Sequence, residues 1–221
     1  MSYGFKVESI DRPALNMLPA YWHTAVAELA ARDRILKELM PRFPDISLTS
    51  RGDAFATLAR AIVGQQISTK ASESVWQRLI ALLPEVSPAA LACMGEEALA
   101  SCGLSQRKVG YLKDLSLHFL EGTLSQAEWA GMDDEAIVAE LMQVRGIGRW
   151  SAEMFLIFNL LRPDVLPLDD FGLQRAMSMH YNAGQPLSKL KMRAIAGQWQ
   201  PWRSVATWYL WRSLDPVPVE Y

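Results

Sequence analysis

Cysteine is scarce: Cys93 and Cys102 are the two in a chain of 221 residues. Two thiols cannot build a four-cysteine iron–sulfur cluster, a four-cysteine zinc site or a disulfide scaffold, and a reducing cytoplasm is the expected compartment. Histidine is sparse as well, and His23, His118 and His180 are too scattered to suggest a metal triad, so no metal is expected. Net charge is almost absent, with 22 basic and 24 acidic side chains giving −2. That balance excludes a polycationic nucleic-acid coat and a disordered acidic tail. Long apolar runs are missing: the most apolar segment, Met154 to Leu161, falls far short of the roughly 20 residues that span a bilayer. The opening MSYGFKVESIDRP lacks the apolar stretch of a signal peptide, so no membrane partner is expected. Repeats, low-complexity tracts and Gly/Ser linkers are absent, as are alternating β-branched runs bounded by turns.

What remains is helical pattern nearly throughout. Residues 22–39 carry Trp22, Val26, Leu29, Ile35, Leu36 and Leu39 at helical spacing and stop before Pro41. Residues 53–64 read as a helix capped by Asp53, with Phe55, Leu58, Ala59, Ile62 and Val63 facing inward. Further helices are expected at 69–83, 88–93, 95–101, 105–120, 133–144, 149–161, 170–180, 187–197 and 201–213. The expected fold class is all-α. Charge is uneven on a finer scale, because no Asp or Glu lies between Phe171 and Leu214 while Arg175, Lys189, Lys191, Arg193, Arg203 and Arg212 do. A near-neutral chain can thereby present one basic face to a polyanion, though a solvated helix face with chance asymmetry explains the count equally well.

The most informative stretch runs from Asp133 to Leu161. An amphipathic helix (Ile137, Val138, Leu141, Met142) ends in Val144-Arg145-Gly146-Ile147-Gly148-Arg149, and a second apolar helix follows. Two glycines let the backbone turn through conformations closed to other residues. The N–H groups at the start of the second helix then face outward as an anion site. A dinucleotide fingerprint would need a preceding strand and a third glycine, and neither is present. A plain helix–turn–helix with a glycine hinge remains the alternative.

Downstream lies Leu166-Pro167-Leu168-Asp169-Asp170-Phe171-Gly172. Together these segments resemble the helix-hairpin-helix (HhH-GPD) DNA glycosylase superfamily. Arg145 to Ala152 followed by Leu-Pro-Leu-Asp-Asp170 is similar to its alkylation-repair branch, DNA-3-methyladenine glycosylase II. Ala61-Ile-Val-Gly-Gln-Gln-Ile-Ser68 and Trp199-Gln-Pro-Trp-Arg-Ser204, with Trp211 behind it, resemble the same branch. The similarity covers roughly residues 53–213. Longer bacterial members carry an N-terminal β domain; only about 50 residues precede the first motif here, they read as helix and loop, and that domain is expected to be absent.

The resemblance implies two helical subdomains flanking a DNA-binding cleft. One spans 53–162 and ends in the hairpin; the other joins 1–52 to 163–221 and carries the catalytic Asp. It implies excision of alkylated purines, of the 3-methyladenine and 7-methylguanine type, from duplex DNA by a flipped-base mechanism. Asp170 is implied as the catalytic carboxylate, with Asp169 left to cap the following helix; sequence physics alone does not separate the two. Gly146, Gly148, Arg149 and Ser151 are implied to hold the DNA backbone, and Gln66 to fill the gap in the base stack. Relatives often hold a monovalent cation on the hairpin carbonyls, which here makes Met142, Val144 and Gly146 the candidates; no other cofactor is expected. Members that also cut the strand carry a hairpin lysine where this chain has Trp150, so an intact abasic strand is the implied product.

Trp150, Phe171 and Trp211, with Met154 and Trp208 behind them, are expected to line an aromatic slot for a cationic base. Trp22, Trp76 and Trp129 are expected to fill core. Arg203 and the Arg107/Lys108 pair are open between DNA contact and structural bonding. The rival readings are a glycosylase for oxidised, deaminated or mismatched bases and a non-catalytic DNA-binding module. A monomer is the expected state.

Overall fold

The computed structural model describes residues 18–44 and 47–214. The first 17 residues, on which part of the expected second subdomain and of the expected N-terminal helix and loop falls, lie outside the described residues. Helices α1 (Trp22–Arg32), α2 (Arg34–Leu39), α3 (Ala54–Gly64), α4 (Thr69–Ala81), α5 (Pro88–Cys93) and α6 (Glu96–Ser101) come first. They are followed by α7 (Gln106–Leu120), α8 (Gln126–Trp129), α9 (Asp134–Leu141) and α10 (Arg149–Phe158). The last of the described helices are α11 (Phe171–Tyr181), α12 (Lys189–Ala196) and α13 (Arg203–Leu214). No strand occurs among the described residues, so the all-α expectation holds.

Short polar side chains set most helix starts. Asp53, Ser68, Ser105, Asp133 and Ser188 each accept the backbone N–H three residues on, a contact typically contributing about 1 kcal/mol. The same device corrects the first helix. Residues 22–39 do not form one helix, because Asp33 leaves helical geometry (φ −130°, ψ 115°) and caps α2 through Ile35 and Leu36. The helix expected over 149–161 ends at Phe158. Asn159 leaves it to donate to the Gly52 carbonyl and the Thr57 hydroxyl, and Leu161 takes a left-handed φ of 53°. The short α8 was not expected.

Packing falls into two sets. Helices α3, α5 and α6 pack on α7, α4 packs on α3, and α10 packs on α9 and α3. Helices α1, α2 and α11 pack on α13, and α1 packs on α2. One apolar core runs through both sets. Trp22, Trp76 and Trp129 are buried in it, as expected. Trp129 lies edge-on between Phe119 and Phe155.

Candidate active site

Asp170 sits at the junction of α10, α11 and α13. The segment before it is fastened to the start of α13. Ser204 Oγ donates to the Arg162 carbonyl and accepts from Val165 N, and the Arg203 guanidinium grips the Asp164 carboxylate at 2.6 and 2.9 Å. Arg203 is therefore a structural ion pair. Asp170 itself is 6% exposed. Its Oδ1 accepts Leu173 N at 2.6 Å and Trp211 Nε1 at 2.7 Å, and its Oδ2 accepts Trp150 Nε1 at 3.0 Å. It is Asp170, and not Asp169, that caps α11. The capping position needs extended backbone just before the helix, and Asp170 has it (φ −76°, ψ 119°). Asp169 is exposed and ion-paired with Lys189.

The aromatic residues divide by exposure. Trp211 is buried and stacked on Phe158, with centroids 5.7 Å apart and an interplanar angle of 16°. Gly172 leaves it room: a Cβ there would lie 3.0 Å from both Asp170 Oδ1 and Trp211 Cδ1. Trp150 is 40% exposed, so its indole edge holds the carboxylate while part of the ring meets solvent. Phe171, expected to line the slot, projects into solvent at 85% exposure, because the first residue of α11 points off the helix start. Met154 and Trp208 are buried in the core, Trp208 packing edge-on to Phe158.

Two helices meet beside this carboxylate at the glycine turn. Gly146 has φ +89°, and a Cβ on it would stand 2.2 Å from the Tyr111 ring, so both conformation and space demand glycine. The turn is clamped to α7 by Asp114, which accepts Arg145 N at 2.8 Å and Arg145 Nε at 3.0 Å. Gly148 precedes α10 with no side-chain cap, and the first bond into that helix runs from Ala152 N to the Gly148 carbonyl. The N–H groups of Arg149, Trp150 and Ser151 thus open the helix without an intrahelical acceptor. Gly146, Gly148, Arg149 and Trp150 are exposed and Ser151 is half-buried.

Arg149 is paired with Glu135 at 2.6 and 3.0 Å and lies 3.6 Å from Glu153. Glu153 is buried, one carboxylate oxygen has no hydrogen-bond partner, and burial pushes its pKa up to about 7. Gln66 stands exposed between α3 and α4 in the left-handed region at φ 58°. Lys108 is accounted for by structure, donating to the Val63 carbonyl at 2.7 Å, and burial lowers its pKa.

Of the three carbonyls expected to hold a monovalent cation, Val144 O already accepts Ile147 N and Gly146 O accepts Gln65 Nε2 at 2.8 Å. A carbonyl oxygen has two lone pairs, so each keeps acceptor capacity beside the bond it makes. Among the described residues no group of three or more His, Cys, Asp or Glu could hold a metal ion, and no helix is long and apolar enough to cross a membrane. The basic stretch after Phe171 is broken up. Lys189 and Arg203 are ion-paired and Arg212 is buried over Trp208, while Arg175, Lys191 and Arg193 are exposed. A cavity of about 780 Å³ lies beside the site; its lining includes Glu153 and Asp169 but neither Asp170 nor either indole.

Sequence reasoning missed Tyr111, Asp114, Gln65 and Glu153. Only the helical spacing of 108, 111 and 114 along one face of α7 hinted at a shared role.

Residues 59–201 match the family described as HhH-GPD superfamily base excision DNA repair protein. The structure superposes on that of a DNA-3-methyladenine glycosidase from Bacillus halodurans with a TM-score of 0.81 and 32% identity, covering 86% of this chain and 89% of that one. It superposes on the 3-methyladenine DNA glycosylase of Schizosaccharomyces pombe, in complex with abasic DNA, with a TM-score of 0.74 and 28% identity over 90% of this chain and 98% of that one. In sequence, the DNA-3-methyladenine glycosylase of Saccharomyces cerevisiae is 36% identical over 151 residues, 64% of this chain and 51% of the relative. This chain therefore spans about half the length of that protein. With more than half its length matched by the family and a superposition of this quality, the chain belongs to the HhH-GPD superfamily of base excision DNA repair proteins.

Proposed function

We propose that this chain is a monofunctional DNA glycosylase, acting as a monomer on duplex DNA. It flips out alkylated purines of the 3-methyladenine and 7-methylguanine type and hydrolyses their N-glycosidic bond. The observation that carries the reading is Asp170: a buried carboxylate at a helix start, held by two indole N–H groups, beside a turn that opens a helix with unsatisfied donors. The relatives named above as 3-methyladenine glycosylases, one of them in complex with abasic DNA, support it.

Breaking the bond builds positive charge on the deoxyribose as the base leaves with the bonding electron pair, and water then adds at C1′. Oδ1 of Asp170 is occupied by two donors, whereas Oδ2 has one and keeps acceptor capacity. Oδ2 is therefore the atom that faces the sugar or takes the proton of the water. An already cationic purine is a good leaving group, and the partly exposed face of Trp150 attracts it. The N–H groups of Arg149 and Ser151 fit a phosphate through the start of α10 without high net charge. Trp150 supplies no amine for a Schiff base, so the strand stays intact at the abasic site.

The test is release of free base from methylated duplex DNA by the parent and by Asp170→Asn. Release of 3-methyladenine by the parent with uncut abasic strand, and its loss in the variant, is the expected result. Tight duplex binding with no release from the parent would replace this reading with a binding module.

A further inference from the structure

We propose that Gln65 is a positioning residue that couples the wedge loop to the hairpin, so that Gln66 enters the base stack in register with the phosphate grip. This inference rests on the glycosylase reading above and on the wedge role of Gln66 within it. The loop between α3 and α4 is short, and its tip residue Gln66 is held at a left-handed φ of 58°. Such a conformation disfavours a residue with a Cβ and persists only where the surroundings hold it. Two contacts do so. Lys108 Nζ binds the Val63 carbonyl at the end of α3, and Gln65 Nε2 donates 2.8 Å across to the Gly146 carbonyl in the hairpin turn.

Among the described residues the Gln65 bond is the one side-chain hydrogen bond that joins this loop to the turn. Its acceptor is a fixed point. The Gly146 peptide is pressed against Tyr111 of α7, and the preceding Arg145 is bound through backbone and side chain to Asp114 of α7. Helix α7 thus serves both parts, with Lys108 toward the wedge helix and Tyr111 and Asp114 toward the hairpin. Gln65 closes the remaining side of that frame. Removing its amide leaves both helices intact and frees the loop tip relative to the turn.

The experiment is a double-mutant cycle of Gln65→Met and Gln66→Ala, with Gln65→Ala as a second truncation. Three readouts are taken: thermal melting, single-turnover release of 7-methylguanine from methylated duplex, and fluorescence of a 2-aminopurine beside an abasic-site analogue at saturating protein. The expected result is unchanged melting, a fall of about five-fold in release for Gln65→Met, the equivalent of one neutral hydrogen bond, and a smaller fluorescence rise on binding. In the Gln66→Ala background, Gln65→Met adds less than about two-fold, because the two act as a unit. Equal and additive losses, or unchanged fluorescence in Gln65→Met and Gln65→Ala, overturn the coupling while leaving the wedge in place. If Gln66→Ala alone changes neither release nor fluorescence, the wedge role falls and the coupling with it. If the parent releases no base, the glycosylase reading itself is what has failed.

Discussion

Among the described residues two buried carboxylates cap helices and both are gripped by tryptophan, yet they differ in how fully their acceptors are used. Asp33, 4% exposed, accepts Ile35 N and Leu36 N on Oδ1 and Tyr181 Oη, Gln198 Nε2 and Trp199 Nε1 on Oδ2. Five donors saturate it, and α2, α11 and the segment before α13 are drawn onto one point. Asp170, 6% exposed, has three donors, and its Oδ2 faces a half-exposed indole beside the solvent-facing Phe171. A carboxylate with every lone pair used is a structural hub; one with acceptor capacity left beside a partly exposed indole can do chemistry. Burial and capping alone do not tell the two apart.

The sharpest break in that comparison is Asp170→Asn. Its amide keeps the oxygen that caps α11 and accepts Trp211, but loses the charge, so base release should fall by about a thousand-fold. Its melting temperature should indicate a loss of about 1–2 kcal/mol, because the capping acceptor survives while the amide nitrogen meets the single Trp150 N–H. Asp33→Asn should do the reverse. An amide nitrogen turned toward the Tyr181, Gln198 and Trp199 donors leaves at least two of them without an acceptor, at about 3 kcal/mol of stability. Urea unfolding measures that loss, while base release per folded molecule should stay within about two-fold. If Asp33→Asn abolished release in folded protein, the division between hub and reactive carboxylate would be wrong.

Smaller effects sharpen the site itself. Trp150→Phe keeps an aromatic face but removes the N–H that orients Oδ2. Release should slow by about ten-fold, roughly one charge-assisted hydrogen bond, with duplex affinity little changed. Glu153 offers a pH handle. Its pKa is raised by burial from 4.5 to about 7, so the folded protein holds a proton that the unfolded chain gives up across that window. Stability from this residue is full below about pH 4.5 and lost as pH rises to about 7. Glu153→Gln should thus equal the parent near pH 4.5 and exceed it by about 3 kcal/mol at pH 8, on chemical unfolding at both values.

Helix positions were legible because they depend on local chemistry. Ser and Asp caps, apolar spacing and the Pro and Gly stops each act within one turn, and α3, α5, α7 and α12 fall close to where the pattern puts them. The glycine turn was legible for the same reason, since a φ of +89° at Gly146 is a property of one residue and its neighbours. Local pattern failed where a side chain answered to distant partners. Asp33 interrupts a run of good helical spacing because Tyr181, Gln198 and Trp199 hold it from the far end of the chain. Asn159 ends α10 early because its amide reaches Gly52 and Thr57.

The site shows the same division. Motif order alone brought Asp170, Trp150, Trp211 and the glycine hairpin under consideration, because residue types and their intervals can be read along one dimension. Which of two adjacent aspartates caps α11 was decided by backbone dihedrals that only the folded loop sets. The orientation of two indoles toward one carboxylate, from positions 20 residues before it and 41 residues after it, was likewise decided by packing. So was the link from Gln65 to Gly146, between residues 81 apart in sequence. Local propensity writes the helices and the turn into the chain. Hydrogen-bond saturation, which separates a hub from a reactive group, exists only once distant helices have brought their donors together.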